Sequence, residues 1–173
     1  MLSKLVVIVI LAELLSPQAL ASSAKAACPR WVKLNKDPVC FGANGDQFGS
    51  FMYDRNIFVS SFMLVHRSGK VTCNKGSYSY WGCHPNSTTS LVALTNQDNE
   101  ILAPEASKVN GRGRYTLSGY YSSSSILVFC APKKPHCVLA GTELRLWYGE
   151  DLRGHAENDN GGKTCADVFA ILA

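Results

Sequence analysis

The chain has 173 residues, with 17 Lys and Arg against 13 Asp and Glu, and it contains seven cysteines. Because only 17% of the residues are charged and no long apolar runs recur, a coiled coil, a disordered tail, a collagen and a polytopic membrane protein are excluded. The formal charge of +4 is mild and scattered, so nucleic acid is not predicted as a partner.

Residues 1–21 are predicted to be a secretory signal peptide. Lys4 precedes an apolar stretch of about eleven residues, which is too short to cross a bilayer. Ala19 and Ala21 supply the small residues of a signal peptidase site, and Ala24 marks a second candidate for cleavage. We therefore expect a secreted, extracellular chain that keeps no membrane association after cleavage.

The mature chain is predicted to form one domain preceded by an arm. Residues 22–45 carry two cysteines and two prolines but little periodicity, which indicates an N-terminal arm. Residues 46–173 are assigned to the single domain. Within it, the apolar run 57–66 is followed by the turn-forming residues 67–70 and a short β-branched segment that starts at Val71. This pattern predicts a hairpin.

Several short strands are predicted after this hairpin, separated by turn-forming residues. They lie at residues 90–95, 115–117, 125–131, 143–148 and 163–172. Leu144, Leu146 and Tyr148 alternate with polar neighbours, which is typical of a half-buried strand rather than a helix. About eight strands spaced by turns predict an all-β fold, an antiparallel β-sandwich.

The cysteines are predicted to form structural disulfides, because a secreted chain folds in an oxidising compartment. The candidates are Cys28, Cys40, Cys73, Cys83, Cys130, Cys137 and Cys165. Cys73 with Cys83 and Cys130 with Cys137 are the sequence-local pairs, and Cys28 or Cys40 with Cys165 would tie the two ends of the domain together. An odd number leaves one thiol that is buried, capped or paired with a second molecule, so a disulfide-linked dimer is among the expectations.

Two groups of surface residues are candidates for modification and binding. Asn86 begins the sequence Asn-Ser-Thr, an acceptor for N-linked glycosylation in a secreted protein. Tyr80 and Trp81 lie between two cysteines, and Tyr120 and Tyr121 precede a run of serines. Aromatic rings on rigid loops stack on sugars or anchor protein interfaces, whereas packing in the core is the alternative for each of them.

Polar residues concentrate between the last two predicted strands, at residues 149–162. Asp151, Asp159 and Asn160 lie in this connection. Carboxylate and amide oxygens are the ligands that Ca²⁺ prefers, so these three residues are predicted metal ligands, and Ca²⁺ is the predicted cofactor. The alternative is a solvated loop built from residues that tolerate turns.

Two resemblances bear on function. Residues 147–151, together with Asp159, Asn160 and the alternating residues 163–169, resemble the final hairpin of calcium-dependent galactose-binding β-sandwich lectins. This resemblance implies a sandwich of jelly-roll or galactose-binding-like type, with the cation ligands at the three residues named above. Segments 65–73 and 80–83 are similar to secreted cnidarian and marine-invertebrate proteins of the extracellular or skeletal organic matrix.

The sequence contains no motif of a hydrolase nucleophile, a zinc protease or a phosphate loop, so an enzyme is not expected. The leading hypothesis is a secreted protein that recognises glycans as a lectin does, assisted by Ca²⁺. The alternative is a structural component of an extracellular or biomineralised skeletal matrix, with matrix components as partners. A toxin or inhibitor is a third option that the sequence does not support by any motif.

Overall fold

The computed structural model describes residues 30–130 and 135–173. The predicted signal peptide and Cys28 lie outside these residues. The described chain forms twelve strands: β1 (Trp31–Lys33), β2 (Val39–Gly42), β3 (Gly49–Met52), β4 (Ile57–Thr72), β5 (Thr89–Ser90), β6 (Val92–Asn96), β7 (Ile101–Ala103), β8 (Tyr115–Thr116), β9 (Ile126–Phe129), β10 (His136–Val138), β11 (Glu143–Tyr148) and β12 (Gly161–Leu172). A short helix, α1 (Gly149–Leu152), and two 3₁₀ turns, Ala106–Lys108 and Glu157–Asp159, complete the secondary structure of the described residues.

The strands form an antiparallel β-sandwich, as predicted. The larger sheet has the order β1-β12-β4-β10, with β2 also paired to β12 and β9 also paired to β4. The second sheet has the order β3-β11-β6-β7, and β5 and β8 form a separate pair. Phe62 and Val168 of the first sheet share one buried cluster with Leu94 and Leu146 of the second. The core therefore lies between the two sheets.

The predicted hairpin at residues 57–73 is a single long strand. β4 pairs with β12 along almost its whole length. Arg67 is an extra residue in the register between His66 and Ser68, and Gly69 has a φ of 76°. A β-bulge of this kind bends a strand without reversing it, so residues that usually form turns are absorbed into β4.

The described part of the predicted arm belongs to the sandwich. β1 pairs with the C-terminal part of β12, and β2 pairs with its N-terminal part. Cys40 and Cys165 lie opposite each other in this register and form a disulfide, one of the bridges expected between the ends of the domain. β1 and β2 are therefore strands of the larger sheet, and the described residues of the predicted arm do not form a separate unit.

The second bridge joins Cys73 and Cys83, as expected from their proximity in sequence. The other local pair is not formed, and Cys130 and Cys137 are exposed free thiols. Cys137 lies opposite Phe58 on β4, whereas the residue before Cys130 lies opposite Phe62. The two cysteines are thus separated by about 10 Å along the strand at ~3.3 Å per residue. Bridged Cα atoms lie within about 7 Å of each other, so this register keeps the two thiols apart.

Within the described residues, no helix has the length and apolar character needed to cross a membrane.

Candidate functional site

The connection between β11 and β12 carries all three predicted metal ligands. Asp151 lies in α1 and is only 4% exposed, while Asn160 immediately precedes β12 and is 6% exposed. Asp159 ends a 3₁₀ turn and is exposed. The structure therefore buries two of the three predicted residues and leaves the third at the surface.

Two carboxylates of this connection bind the backbone of the loop between β2 and β3. The amide N–H groups of Asp46 and Gln47 donate to the Asp151 carboxylate, at 2.9 Å and 3.1 Å. The N–H of Gly45 donates to Glu157 Oε2 at 3.0 Å. Three successive N–H groups therefore point at two carboxylates. We call residues 43–47 the clamped loop.

The backbone of the clamped loop explains why its N–H groups converge. Gly45 and Asp46 both have left-handed conformations, with φ of 70° and 58°. Successive backbone N–H groups in a turn can point to one side and form a concave site for an anion. Gly45 adopts this conformation at no steric cost because it has no Cβ. Asp46 is an aspartate, one of the few other residue types that tolerate it.

Asn160 holds the same loop from the other side. Its amide nitrogen donates to the Ala43 carbonyl oxygen at 3.0 Å, and Asn44 donates in turn to the Asn160 carbonyl oxygen at 3.4 Å. The side-chain oxygen of Asn160 is buried and has no hydrogen-bond partner among the described residues. We call Asp151, Glu157 and Asn160 the oxygen cluster, since all three side chains contact the clamped loop.

The electrostatics of the oxygen cluster favour a positive charge. Burial raises the pKa of the Asp151 carboxyl, and the neighbouring Glu157 carboxyl raises it further, while the two amide hydrogen bonds lower it. The pKa of Asp151 lies above its usual range as a result. A buried carboxylate beside a second carboxylate is costly in its charged form, and a nearby cation would offset this cost.

Asp159 faces a different part of the surface. It lines a cleft of about 380 Å³ with Arg114, His84, Ser87 and the Cys73–Cys83 disulfide. We call this the bridge cleft. The Nε of Arg114 donates to the buried Glu150 carboxylate at 2.8 Å, so the cation of the cleft is already paired. Among the described residues, no hydrogen bond engages the Asp159 side chain.

Glu157 was not among the ligands predicted from sequence. It lies two residues before Asp159 in the same acidic segment, and nothing in the local pattern distinguishes their roles. The distinction comes from the clamped loop, which is more than 100 residues away in sequence. The described residues contain no group of three or more His, Cys, Asp or Glu side chains placed to hold a metal ion. Any cation here would therefore depend on amide or backbone oxygens as well.

The aromatic candidates have unequal access to solvent. Trp81 is fully buried in the core, and its indole N–H donates to the Ser124 carbonyl oxygen at 2.6 Å. It cannot stack on a sugar in this position, which corrects the prediction for this residue. Tyr80 is half-buried and stacks on His66 with ring centroids 3.7 Å apart.

The remaining tyrosines differ in the same way. Tyr120 is half-buried and packs on the core, whereas Tyr121 is 55% exposed. Tyr78 lies in the same segment as Tyr80 and Trp81 but was not among the predicted binding residues, and it is 43% exposed. Its hydroxyl lies 4.0 Å from the position that a Cβ on Gly161 would occupy, next to Asn160 in the chain. Tyr78 is therefore an accessible aromatic ring close to the residues of the oxygen cluster.

Comparison with known proteins identifies a family for this chain. No protein-family model matches the sequence, and no curated protein matches it. The solved structure of AJLec from the sea anemone Anthopleura japonica matches this chain with a TM-score of 0.73 and 34% sequence identity. The match covers 84% of this chain and 99% of AJLec. The chain belongs to the AJLec family.

Membership of the AJLec family supports the expected similarity to cnidarian lectins. AJLec is a lectin and not an enzyme, which is consistent with a non-enzymatic protein. The two disulfides of the described residues are consistent with an extracellular protein.

Proposed function

We propose that this chain is a secreted lectin that binds extracellular glycans at the oxygen cluster with the assistance of Ca²⁺. The family relationship supports glycan binding, because AJLec is itself a lectin and is matched over 99% of its length. The resemblance of the final hairpin to galactose-binding lectins makes galactose the first sugar to test. Glycans are the proposed partners.

The observation that carries the proposal is the side-chain oxygen of Asn160. It is buried without a hydrogen-bond partner among the described residues, and its neighbours Asp151 and Glu157 hold the same loop. Buried polar atoms in folded proteins nearly always have a partner, because an unpaired one costs about 1–3 kcal/mol. A cation or a sugar hydroxyl is a partner of the required kind.

The donor set fits a hard cation. Carboxylate and amide oxygens are the ligands that Ca²⁺ accepts, and Asp151 and Asn160 offer both types within one cluster. A bound Ca²⁺ would supply open coordination positions for sugar hydroxyls. Glu157 is the third proposed ligand, because it belongs to the same cluster, whereas Asp159 lines the bridge cleft instead.

The residues of the chain itself would position the sugar. The oxygen cluster holds the clamped loop, and Phe48 anchors the chain directly after it. The centroid of the Phe48 ring lies 4.6 Å from that of the Trp147 ring, and the Arg145 guanidinium lies over the Phe48 ring. A loop held at both ends presents its polar groups with little loss of conformational entropy on binding. Tyr78 offers a ring on which the apolar face of a sugar can stack.

A glycan array tests this proposal. The mature chain, residues 22–173, is applied with Ca²⁺ and again with a chelator. We expect retention on galactose-terminated glycans that free galactose and the chelator both abolish. If the chelator leaves retention unchanged, the proposed role of Ca²⁺ is wrong, while glycan binding itself stands. If no glycan is retained in either buffer, glycan binding is wrong, and co-extraction with insoluble matrix would then favour the structural alternative.

A further inference from the structure

The Asn86 acceptor sequence lies in an exposed turn. The Ser87 N–H donates to the His84 carbonyl oxygen at 3.1 Å, which closes a turn with Pro85 and Asn86 at its two central positions. Proline fixes the backbone angle required at the first of these positions, and asparagine is common in turns. Asn86 and Thr88 are both exposed. The two residue types that a glycosylation sequence requires are therefore accessible together.

This turn is rigidly attached to the body of the protein. The Ser122 N–H donates to the Ser87 carbonyl oxygen at 2.8 Å, and the Ser122 hydroxyl donates to the His84 carbonyl oxygen. Ser122 is fully buried. A group attached to Asn86 would accordingly leave the surface at a fixed place.

That place is the rim of the bridge cleft. His84 and Ser87, on either side of Asn86, both line the cleft, and the Cys73–Cys83 disulfide lies within it. Cys73 is 8% exposed and Cys83 is 7% exposed. The Asn86 turn therefore borders the cleft that contains this disulfide.

We propose that Asn86 carries an N-linked glycan that covers the bridge cleft and shields the Cys73–Cys83 disulfide from reductants. Asn86-Ser87-Thr88 is the one acceptor sequence in the chain. An N-linked glycan is bulky and hydrophilic, so it occupies the solvent directly above its attachment turn. The oxygen cluster is held by a different set of side chains, and this proposal does not depend on glycan binding there.

The test compares three chains secreted from animal cells. Thr88→Ala removes the acceptor sequence, whereas Thr88→Ser keeps it and is the matched control. An endoglycosidase is expected to lower the mass of the parent and of Thr88→Ser but not that of Thr88→Ala. The folded chains are then exposed to dithiothreitol, and the released thiols are alkylated and located by mass spectrometry. We expect the Cys73–Cys83 bridge to be reduced several-fold faster in Thr88→Ala, while the Cys40–Cys165 bridge reacts at the parent rate.

A second arm removes the glycan from the folded parent with the endoglycosidase, so that no substitution is involved. The enzyme-treated parent should then match Thr88→Ala in the reduction rate of the Cys73–Cys83 bridge. A parent mass that is unchanged by the glycosidase would overturn the modification site. Equal reduction rates with and without the glycan would overturn the shielding role.

Discussion

The Arg114 guanidinium donates to the Glu150 carboxylate, and this pair joins the loop before β8 to the start of α1. Glu150 is 1% exposed and Arg114 is about one-third exposed. The pair supports the chain segment from which the oxygen cluster is built, because Glu150 precedes Asp151 directly.

Arg114→Ala is expected to destabilise the fold by about 2–3 kcal/mol, since it leaves the buried Glu150 carboxylate without its partner. Urea unfolding followed by fluorescence measures this change. Arg112→Ala is the matched control, because Arg112 is exposed in the same loop. We expect its effect to stay within about 0.5 kcal/mol. Equal effects of the two substitutions would contradict the importance of the pair.

Asp167 predicts a dependence of stability on pH. Burial alone would raise its pKa, but hydrogen bonds from Lys33, Asn35 and Arg67 outweigh this and hold the pKa below its usual value. The stabilisation is therefore complete above the ordinary pKa of about 3.9 and is lost as the pH falls through the lower folded value.

Asp167→Asn is expected to cost about 2 kcal/mol at pH 7, and this difference from the parent should shrink in acid. Unfolding curves between pH 7 and pH 2 provide the measurement. Asp54→Asn serves as the control, because Asp54 is well exposed and its ion pair is with the equally exposed neighbour Arg55. A difference that stays constant down to pH 2 would show that Asp167 does not contribute through its charge.

Calcium should raise the melting temperature through the oxygen cluster. At about 100 times its Kd, a bound ion stabilises the native state by about 2.7 kcal/mol, or about 5–10 °C in a chain of this size. Asn160→Ala is expected to abolish this rise. Asn158→Ala should retain it, because Asn158 is exposed in the adjacent turn. A rise of equal size in both variants would place the ion elsewhere.

The effects of substituting the aromatic residues should depend on how deeply each ring is buried. Trp81→Ala is expected to destabilise the fold by about 3–5 kcal/mol, since it empties a fully buried site. Tyr78→Ala should leave the melting temperature nearly unchanged and weaken glycan retention by about 0.5–1.5 kcal/mol. Tyr121→Ala is the control with a similarly exposed ring. If Tyr121→Ala weakens retention and Tyr78→Ala does not, the sugar lies at the other loop.

The free thiols predict covalent dimers. Cys130 and Cys137 are exposed, so either can form a disulfide with a second copy when dissolved oxygen accepts the electrons and protons of the two thiols. A dimer that reductant dissociates is expected on a non-reducing gel. The double variant Cys130→Ser, Cys137→Ser should run as a monomer. A reducible dimer that persists in this variant would assign the link to another cysteine.

The all-β class was predictable because it depends on the local alternation of apolar and polar side chains. Glu143–Tyr148 was predicted with the bounds that β11 has, and its alternate residues Leu144 and Leu146 are fully buried. β4 was predicted as a hairpin because turn-forming residues usually end strands. Its continuity comes from pairing with β12, which is a contact between distant parts of the chain.

In the candidate site too, local features were predictable and contacts between distant segments were not. The acidic segment was found from composition, and Asp151 and Asn160 do meet at one loop. Glu157 contacts this loop and Asp159 does not. This difference depends on how two distant loops meet in the fold, which no local sequence pattern encodes. The buried indole N–H of Trp81 also pairs with the distant Ser124 carbonyl oxygen, and the local sequence does not distinguish this buried ring from the exposed Tyr78.

The Cys40–Cys165 bridge spans 125 residues of sequence. A protease that cuts the chain once anywhere between these two cysteines leaves both fragments in one covalent molecule. The clamped loop and the oxygen cluster both lie inside this span, on the two fragments that most such cuts would produce. A chain cut in this way therefore keeps both halves of its proposed binding site in one molecule.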